Sequence, residues 1–305
     1  MINADRIHIG PSGWHRADWV EAVSAGASPR EHRIDRLLPF VDLLEIGHTA
    51  EAPLKPEIAR LWLRKAAANP RLRWTAVLGH RFTRDRDLSP GAVAAWKAGF
   101  MPLQRDGRLA ALVLEFPWAF RFTHENREFL VELRRTFHEF RLAAEFLHES
   151  WLTEEALAVL AKYRISFVNV DQPVYFRGMP PAAVLTTSLG VVRLHGRRTP
   201  EAFREFDQRA TAAPYLYPLE ELEEWQPRLA RLAAAAQQCL VVFTNSHAGR
   251  SLVNSLQMGE ILGRTPLLAP APLIRRYPAE LAAFRAPRPI QMDLLPTAAE
   301  SQRAA

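Results

Sequence analysis

The 305-residue sequence contains a single cysteine, and this scarcity excludes two ways of stabilising a domain. An intrachain disulfide needs two thiols, and a zinc site of the cysteine type needs several thiolates. Cys239 stands in the apolar run CLVVF, where a buried thiol without a chemical role is the expected state. We therefore expect a fold that is stabilised by its hydrophobic core.

Long apolar runs are missing as well. No stretch approaches the roughly 18 apolar residues that a membrane-spanning helix requires, and the opening residues MINADRIHIG carry charge almost at once. These features favour a cytoplasmic protein without a membrane partner. A glycine-rich phosphate loop is also absent after the first apolar run, which argues against an open dinucleotide-binding sheet.

Apolar residues and arginine are what the chain has in quantity. Hydrophobic side chains make up 48% of the residues, enough for one large α/β domain, and the net charge is +6. Arginine suits bidentate contacts with phosphate or carboxylate groups. Two interpretations of this charge stay open: solvated helix faces, or a surface or pocket for nucleic acid or a small anion.

Short apolar runs alternate with segments of helical periodicity. We predict strands over Arg6–Gly10, Val41–Gly47, Arg73–Gly79, Leu109–Pro117, Leu142–Phe146, Ile165–Asp171, Val191–Gly196 and Cys239–Asn245. We predict helices over Glu57–Asn69, Pro90–Leu103, Glu125–Phe140, Glu154–Tyr163, Leu219–Gln237 and Ala248–Leu262. Eight strands that alternate with helices are the number that closes a parallel barrel. The predicted fold class is α/β, a single TIM-like (β/α)8 barrel.

Two stretches interrupt this alternation. Between Asp171 and Val191, proline and glycine occupy the place of a helix, which predicts an irregular loop after strand six. The chain after Leu262 is rich in proline and ends in a polar tail. We therefore divide the chain into a barrel domain over residues 1–263 and a proline-rich C-terminal extension over residues 264–305, which we expect to be partly disordered.

Polar and aromatic side chains crowd the predicted carboxyl ends of the strands, where barrel enzymes place their active sites. They are Ser12, Trp14, Glu45, His48, His80, Glu115, Glu145, His148, Asp171, Arg193, His195, Asn245 and His247. A carboxylate in an apolar strand has to be paired, hydrated or protonated, because burial of an unpaired charge is unfavourable. This density of ionisable groups indicates a functional site at the mouth of the barrel.

Four of these residues are candidate catalytic groups. Glu45 and Glu145 lie at equivalent depths on different strands, and two like charges in one pocket raise a carboxyl pKa, which gives a proton donor beside a base. His195 and Asp171 complete the catalytic set. An Asx turn before the Gln-Pro that follows would also explain Asp171.

The segment VVRLHGRRT contains the candidate anion-binding residues. Arg193 and His195 are two positions apart and so share one face of a strand, with Arg193 deeper and His195 nearer the mouth. Val191 and Leu194 are expected to face the helices. A second interpretation pairs Arg193 with Glu115 in a buried ion pair that has no catalytic part.

Further ligand-binding candidates at the mouth are Ser12, Trp14, Glu115, Asn245 and His247, although a tryptophan there more often packs than stacks on a ligand. A divalent metal is an additional hypothesis, because histidines and carboxylates are the side chains that bind zinc or manganese. The candidate ligands are His80, His148, His195 and His247 with Glu45, Glu115, Glu145 and Asp171. None of them has the local spacing of a metal motif, so no metal site is firmly predicted.

Several motifs resemble one known family. The segments IGPSGW, LLEIGHT, LVLEFP, AAEFLHESW, VNVDQP, VVRLHGR, APYLYPLEELEEW and VVFTNSHAGRSLVNSLQM follow the order of the YecE-like family, domain of unknown function 72. The resemblance runs from Ile9 to Met258 and implies a TIM-barrel-like fold without implying an activity. It supports Gly10, Ser12, Gly13, Trp14, Glu45, Pro117, Glu145, Ser150, Trp151, Asp171, Arg193, His195, Gly196, Tyr215, Tyr217, Asn245, Gly249 and Asn254. Among these, Tyr217 becomes a further ligand-binding candidate.

The sequence also departs from the pattern of that family. The residues Gly47, His48, Thr49, Ala50 and Glu51 stand in place of Asn-Ser-Thr-Phe-Tyr, and Leu78 or Gly79 stands in place of a lysine. Glu115 replaces a glutamine, Leu147 an arginine and Thr244 an asparagine. These changes make the expected mouth more acidic. They predict either a different ligand or a loss of the chemistry.

Two classes of function are compatible with these observations. The first is an enzyme, a hydrolase or lyase, that acts on a polar or phosphorylated small molecule or nucleotide. Its paired carboxylates would serve as acid and base, and Arg193 with His195 would hold an anionic group. The alternative is a non-catalytic nucleic-acid-binding or scaffold protein that uses its basic surface.

Overall fold

Eight parallel strands form the centre of the molecule, in a computed structural model that describes residues 4–24, 32–174, 176–197 and 214–287. They are β1 (Ile7–Pro11), β2 (Leu43–Ile46), β3 (Arg73–Val77), β4 (Leu109–Glu115), β5 (Leu142–Glu145), β6 (Ile165–Asp171), β7 (Leu189–Leu194) and β8 (Gln238–Phe243). The strands pair in the order β1-β8-β7-β6-β5-β4-β3-β2. Since β1 and β2 at the ends of this order lie side by side, the sheet is a nearly closed barrel, and the predicted TIM-like (β/α)8 fold is confirmed.

The barrel closes where β1 approaches β2. Asp42, just before β2, accepts a hydrogen bond from the Ile9 amide at 2.7 Å. Gly10 lies so near the backbone of Leu43 that a Cβ atom on Gly10 would stand 1.7 Å from the Leu43 carbonyl oxygen. The closure therefore requires a residue without a side chain at this position.

Helices surround the barrel between successive strands. They are α1 (Ala17–Ser24), α2 (Pro56–Ala66), α3 (His80–Thr83), α4 (Pro90–Arg105), α5 (His124–Thr136), α6 (Glu154–Lys162), α7 (Leu219–Glu223), α8 (Gln226–Ala235), α9 (Arg250–Ile261) and α10 (Ala271–Arg276). The segment predicted as one helix over Leu219–Gln237 forms two, because Pro227 has no amide proton and starts a new helix. Within the described ranges, no helix is both long and apolar enough to cross a bilayer.

The chain between β6 and β7 runs without a helix in its described residues, as its proline and glycine content predicts. Asn169, buried on β6, fixes the course of this loop. Its Nδ2 atom donates to the carbonyls of Val184 at 3.0 Å and Val191 at 3.1 Å, and its Oδ1 atom accepts from the Val184 amide at 2.7 Å. The buried side-chain amide of Asn169 thus satisfies both backbone polar groups of Val184 in the loop and also binds the Val191 carbonyl of β7.

The proline-rich segment after Leu262 packs on the barrel over its described length. Leu273 on α10 is buried, and the Tyr277 hydroxyl donates to the Ala248 carbonyl at 2.9 Å. Partial disorder of this extension stays a prediction, since its polar end, residues 288–305, lies outside the described residues.

Side chains of β7 alternate between the barrel interior and the surrounding helices. Val192 and Leu194 pack with Tyr217 and Trp225 in the helix layer, whereas Val191 packs in the other hydrophobic cluster. The expectation that Val191 and Leu194 both face the helices is therefore wrong for Val191. Residues three positions apart on a strand lie on opposite faces.

Candidate active site

A cavity of about 420 Å³ opens at the carboxyl ends of the strands, the end at which the polar side chains were expected. Its wall is formed by Ser12, Gly13, His15, Arg16, Glu45, Gly47, His48, Ala50, Glu51, Val77, His80, Arg84, Glu115, Phe116, Pro117, Glu145, Leu147, Gln172, Pro173, Arg193, His195, Thr244 and Ser246. Of the predicted site residues, Ser12, Glu45, Glu115, Glu145, Arg193 and His195 lie in this wall.

Arg193 lies at the floor of the cavity, with 3% of its side chain exposed, and holds three glutamates together. Its Nη1 atom donates to Glu145 Oε2 at 2.6 Å. Its Nη2 atom lies 2.8 Å from Glu45 Oε1 and 2.8 Å from Glu115 Oε1. Both terminal nitrogens of Arg193 are paired with glutamates of this chain. The guanidinium therefore neutralises these carboxylates and is not free to bind an external anion.

The charge of Arg193 reverses the pKa shift expected for clustered glutamates. Burial raises the pKa of Glu145, but the charges of Arg193 and His195 outweigh burial and hold this pKa below its ordinary value. Burial also raises the pKa of Glu115, and there Arg193 and His80 outweigh it and hold the pKa well below its ordinary value. Both carboxyl groups are therefore ionised at neutral pH.

His195 lies above Arg193, between a carboxylate and a hydroxyl group. Its Nε2 atom is 3.1 Å from Glu145 Oε2, and its Nδ1 atom is 2.7 Å from Thr244 Oγ1. The Thr244 hydroxyl has one proton and two acceptors within reach, His195 Nδ1 and the Leu194 carbonyl at 3.1 Å. When this proton points to Leu194, both ring nitrogens of His195 donate, as in the charged ring; when it points to Nδ1, the ring is neutral. Rotation of one hydroxyl thus accommodates both protonation states.

His80, the first residue of α3, is a second imidazole in contact with carboxylates. Its Nε2 atom is 2.9 Å from Glu115 Oε2, and its Nδ1 atom is 3.3 Å from Glu51 Oε1. Because Glu115 also contacts Arg193, a continuous chain of charged groups joins the two histidines across the floor. In the sequence, His80 stood out only as a strand-end histidine and a candidate metal ligand.

Five of the candidate catalytic and ligand-binding residues do not line the cavity. They are Trp14, Asp171, Tyr217, Asn245 and His247. Trp14 is buried, and its Nε1 atom donates to the Glu45 carbonyl at 3.1 Å. Asn245 is also buried, and its Nδ2 atom donates to the Tyr215 carbonyl at 2.9 Å. These two side chains support the backbone around the cavity instead of forming its wall.

Asp171 is fully buried and anchors the segment that carries His195. It stands in register with Leu194 of β7, so its side chain faces the helix layer and not the cavity. Its carboxylate accepts hydrogen bonds from Trp225 Nε1 at 2.6 Å, from the Tyr217 hydroxyl at 3.1 Å and from Arg197 Nη2 at 2.8 Å. Its carbonyl accepts from the His195 amide at 2.8 Å. Through these contacts Asp171 and Tyr217 position the end of β7.

Some wall residues lay outside the predicted set. Arg84 follows His80 by one helical turn, Glu51 lies in the turn after β2, and Thr244 directly follows β8. All three occur within seven residues of the end of a strand, in the segments that follow β2, β3 and β8 at the mouth of the barrel.

The histidines proposed as metal ligands do not converge. His80 and His195 pair with carboxylates in the cavity wall, His148 accepts from the Ser150 amide at 3.0 Å, and His247 lies 3.4 Å from Asp18. Within the part of the chain that the structure describes, no three histidine, cysteine or acidic side chains are arranged to hold a metal ion. The metal hypothesis therefore has no ligand set among these residues.

The sequence matches a family model described as "Protein of unknown function DUF72" over residues 8–276, which is most of the chain. The chain belongs to the DUF72 family. The resemblance found in the motifs is thereby confirmed, and the family description names no activity.

Proteins similar to this chain match most of its length. The UPF0759 protein YunF of Bacillus subtilis is 23% identical over 271 residues, which are 84% of this chain and 94% of YunF. A DUF72 structure from Thermotoga maritima has a TM-score of 0.70 at 24% identity, with 85% of this chain and 99% of that chain covered. One from Enterococcus faecalis has a TM-score of 0.70 at 20% identity, with 85% and 96% covered. These likenesses establish the shared fold.

Several positions at which the sequence motifs depart from the resemblance described above lie in the cavity wall. Glu115, Leu147 and Thr244 all lie in this wall, and Glu51 contacts His80 there. Of these residues, Glu115 contacts His80 and Thr244 contacts His195.

Proposed function

We propose that the cavity is the active site of an enzyme, of the hydrolase or lyase type, that acts on a small polar or phosphorylated molecule by acid–base chemistry. The observation that carries the proposal is the contact of His195 Nε2 with Glu145 Oε2 at 3.1 Å in the cavity wall. An imidazole oriented by an ionised carboxylate is a recurrent arrangement for general acid–base catalysis. An imidazole can accept a proton at one ring nitrogen and later donate it, so one side chain can act as base and as acid.

In this proposal, His195 takes a proton from the substrate or from an attacking water molecule. Glu145 stabilises the charged ring and keeps its orientation. The lowered pKa of Glu145, held down against burial by Arg193 and His195, assigns the mobile proton to the imidazole and not to the carboxyl group. Thr244 accepts from the other ring nitrogen when the ring is charged.

His80 and Glu115 supply the second half of the reaction. Their contact at 2.9 Å lies on the other side of Arg193, so two imidazole–carboxylate pairs face one cavity. Hydrolysis and elimination both need one group that removes a proton and another that returns a proton to the leaving group. We assign the second role to His80. Glu45 then has no direct part in the proton transfers; it helps to neutralise and position Arg193, with which it forms an ion pair.

The cavity wall favours a small molecule with hydroxyl groups on a carbon skeleton. Ser12 and Ser246 place hydroxyl groups in the wall, and Phe116 and Pro117 give it apolar surface. A volume of about 420 Å³ is within the range of small-molecule sites.

An untargeted assay tests the proposal. Wild-type protein and the variants His195→Asn and Glu145→Gln are each incubated with a cell metabolite extract, and mass spectrometry records which metabolites are consumed. We expect the wild-type protein to consume a small polar metabolite and both variants to lose this activity. Arg105→Gln is the matched control, because Arg105 is an exposed residue at the end of α4 that lies outside the cavity wall.

Circular dichroism confirms that each variant is folded before the activities are compared. Consumption that persists in both variants contradicts the proposal, and so does an extract that the wild-type protein leaves unchanged. The nucleic-acid-binding alternative makes the opposite prediction: affinity for DNA or RNA that falls steeply with salt and is unaffected by His195→Asn.

A further inference from the structure

The arginines of the cavity wall are paired with acidic side chains of the protein, with one exception among the described residues. Arg193 contacts three glutamates, and His195 and His80 each contact a carboxylate. Arg16 at the rim lies 3.1 Å from Asp18. An anionic ligand that entered the cavity would have to compete with these carboxylates for every paired cation.

Arg84 is the exception. It lies in the cavity wall and is exposed, and its guanidinium has no hydrogen bond or ion pair to any residue that the structure describes. Its backbone amide donates to the His80 carbonyl at 2.7 Å, which makes it the residue one helical turn after His80. Positions four apart on a helical turn share a face, so Arg84, the residue that ends α3, lies on the same side of this turn as His80.

We infer that Arg84 is the anion-binding residue of the cavity and that it takes the phosphate group of a phosphorylated small-molecule substrate. This inference rests on the proposed function for the nature of the reaction, and it names the substrate class. Arginine is suited to the task because its planar guanidinium donates two parallel hydrogen bonds to phosphate oxygens. The sequence had pointed to Arg193 for this role; its carboxylate partners leave the role to Arg84.

Arg84 and His80 are close along the chain. One helical turn separates them, which is a rise of about 6 Å between their backbones. A phosphate held by Arg84 therefore lies on the same side of the cavity as His80. The exposed carboxylate of Glu51, 3.3 Å from His80 Nδ1, places a negative charge on the same rim and weakens anion binding without removing it.

Titration calorimetry with inorganic phosphate, at constant ionic strength maintained with chloride, tests the inference. We expect the wild-type protein to bind phosphate at millimolar concentrations and Arg84→Gln to weaken this binding on the order of tenfold, the loss of a charge-assisted hydrogen bond. Arg84→Lys keeps the charge but not the planar pair of donors, so its phosphate affinity is expected to lie between those of the wild type and Arg84→Gln. Arg105→Gln, the same change at another exposed arginine outside the cavity wall, should bind as the wild type does.

Equal phosphate affinity in Arg84→Gln and wild-type protein overturns the inference, as does a wild-type protein that binds no phosphate. These outcomes are distinct from failure of the proposed function. Phosphate binding that depends on Arg84, in a protein that consumes no metabolite, would support the anion site and contradict the enzyme. Metabolite consumption that depends on His195, with phosphate binding unaffected by Arg84→Gln, would support the enzyme and contradict the anion site.

Discussion

Arg193 on β7 and Glu45 on β2 meet inside the barrel, with Nη2 2.8 Å from Oε1, although they are 148 positions apart in the sequence. Both side chains are buried, and their strands are not neighbours in the sheet. The ion pair therefore crosses the interior of the barrel. With Glu115 and Glu145 on the same guanidinium, the floor of the candidate active site also links strands that share no hydrogen-bonded ladder with β7.

Arg193→Met is expected to destabilise the barrel at neutral pH by on the order of 3–5 kcal/mol, because it leaves buried carboxylates without their cation. In the wild-type protein, the pKa values of Glu115 and Glu145 lie below their unfolded values, held there against burial by Arg193 and the two histidines. Their contribution to stability is therefore present above about pH 4.3 and is lost as the pH falls through the folded pKa.

In Arg193→Met the pKa values of Glu115 and Glu145 are expected to shift in the opposite direction. Without the arginine, burial and the like charges of the neighbouring glutamates raise the folded pKa values. Protonation of these two carboxyl groups then stabilises the folded variant. The difference in unfolding free energy between wild type and variant should therefore narrow as the pH falls from about 7 to about 5. Urea denaturation at a series of pH values measures this difference. A gap that stays constant with pH would show that the carboxylates do not depend on Arg193.

Glu145→Gln and His195→Asn should each reduce the turnover of the identified metabolite by on the order of 10²–10⁴, the usual contribution of general acid–base catalysis. Because the two residues act as one unit at 3.1 Å, the double variant should be hardly slower than either single variant. Initial rates for the four proteins form the double-mutant cycle. Effects that multiply in the double variant would mean that the two side chains act independently.

Asp171→Asn should destabilise the protein by about 3 kcal/mol, since the carboxylate is fully buried and accepts charge-assisted hydrogen bonds from Arg197. Glu224→Gln is the control, because Glu224 pairs with the same arginine at an exposed position, where we expect less than about 1 kcal/mol. Urea denaturation of both variants provides the comparison. An equal loss of unfolding free energy in the two variants would show that the buried carboxylate of Asp171 contributes no more to stability than the exposed one of Glu224.

Gly10→Ala should prevent closure of the barrel, because the added Cβ atom would stand 1.7 Å from the Leu43 carbonyl oxygen. We expect a loss of more than about 3 kcal/mol, or a failure to fold. Gly91→Ala is the matched change in α4, where no atom lies within 4 Å of the new Cβ, and it should be neutral or stabilising by up to about 1 kcal/mol. Thermal unfolding distinguishes the two; a Gly10→Ala protein as stable as the wild type would contradict the close approach of β1 and β2.

The positions of Glu45, Glu145, Arg193 and His195 at the mouth could be predicted because each follows or ends an apolar run, and parallel strands bring such ends together. Asp171 had the same signal but lies outside the cavity. Its side chain falls on the other face of β6, in register with Leu194, and the sequence pattern of a strand buried on both faces does not distinguish the two faces.

The sequence by itself determined the barrel, because eight apolar runs separated by amphipathic helices have one economical way to bury both faces of a parallel sheet. The tertiary structure decided which charges meet. An arginine on an inward face can bind a ligand or the carboxylates of its own chain, and closure of the barrel brings Glu45, Glu115 and Glu145 within 2.6 to 2.8 Å of Arg193. For Glu115 and Glu145 these contacts lower the carboxyl pKa values that clustering alone would raise. Arg84, which follows α3 seven residues after the end of β3, is the unpaired arginine among the described residues of the cavity wall.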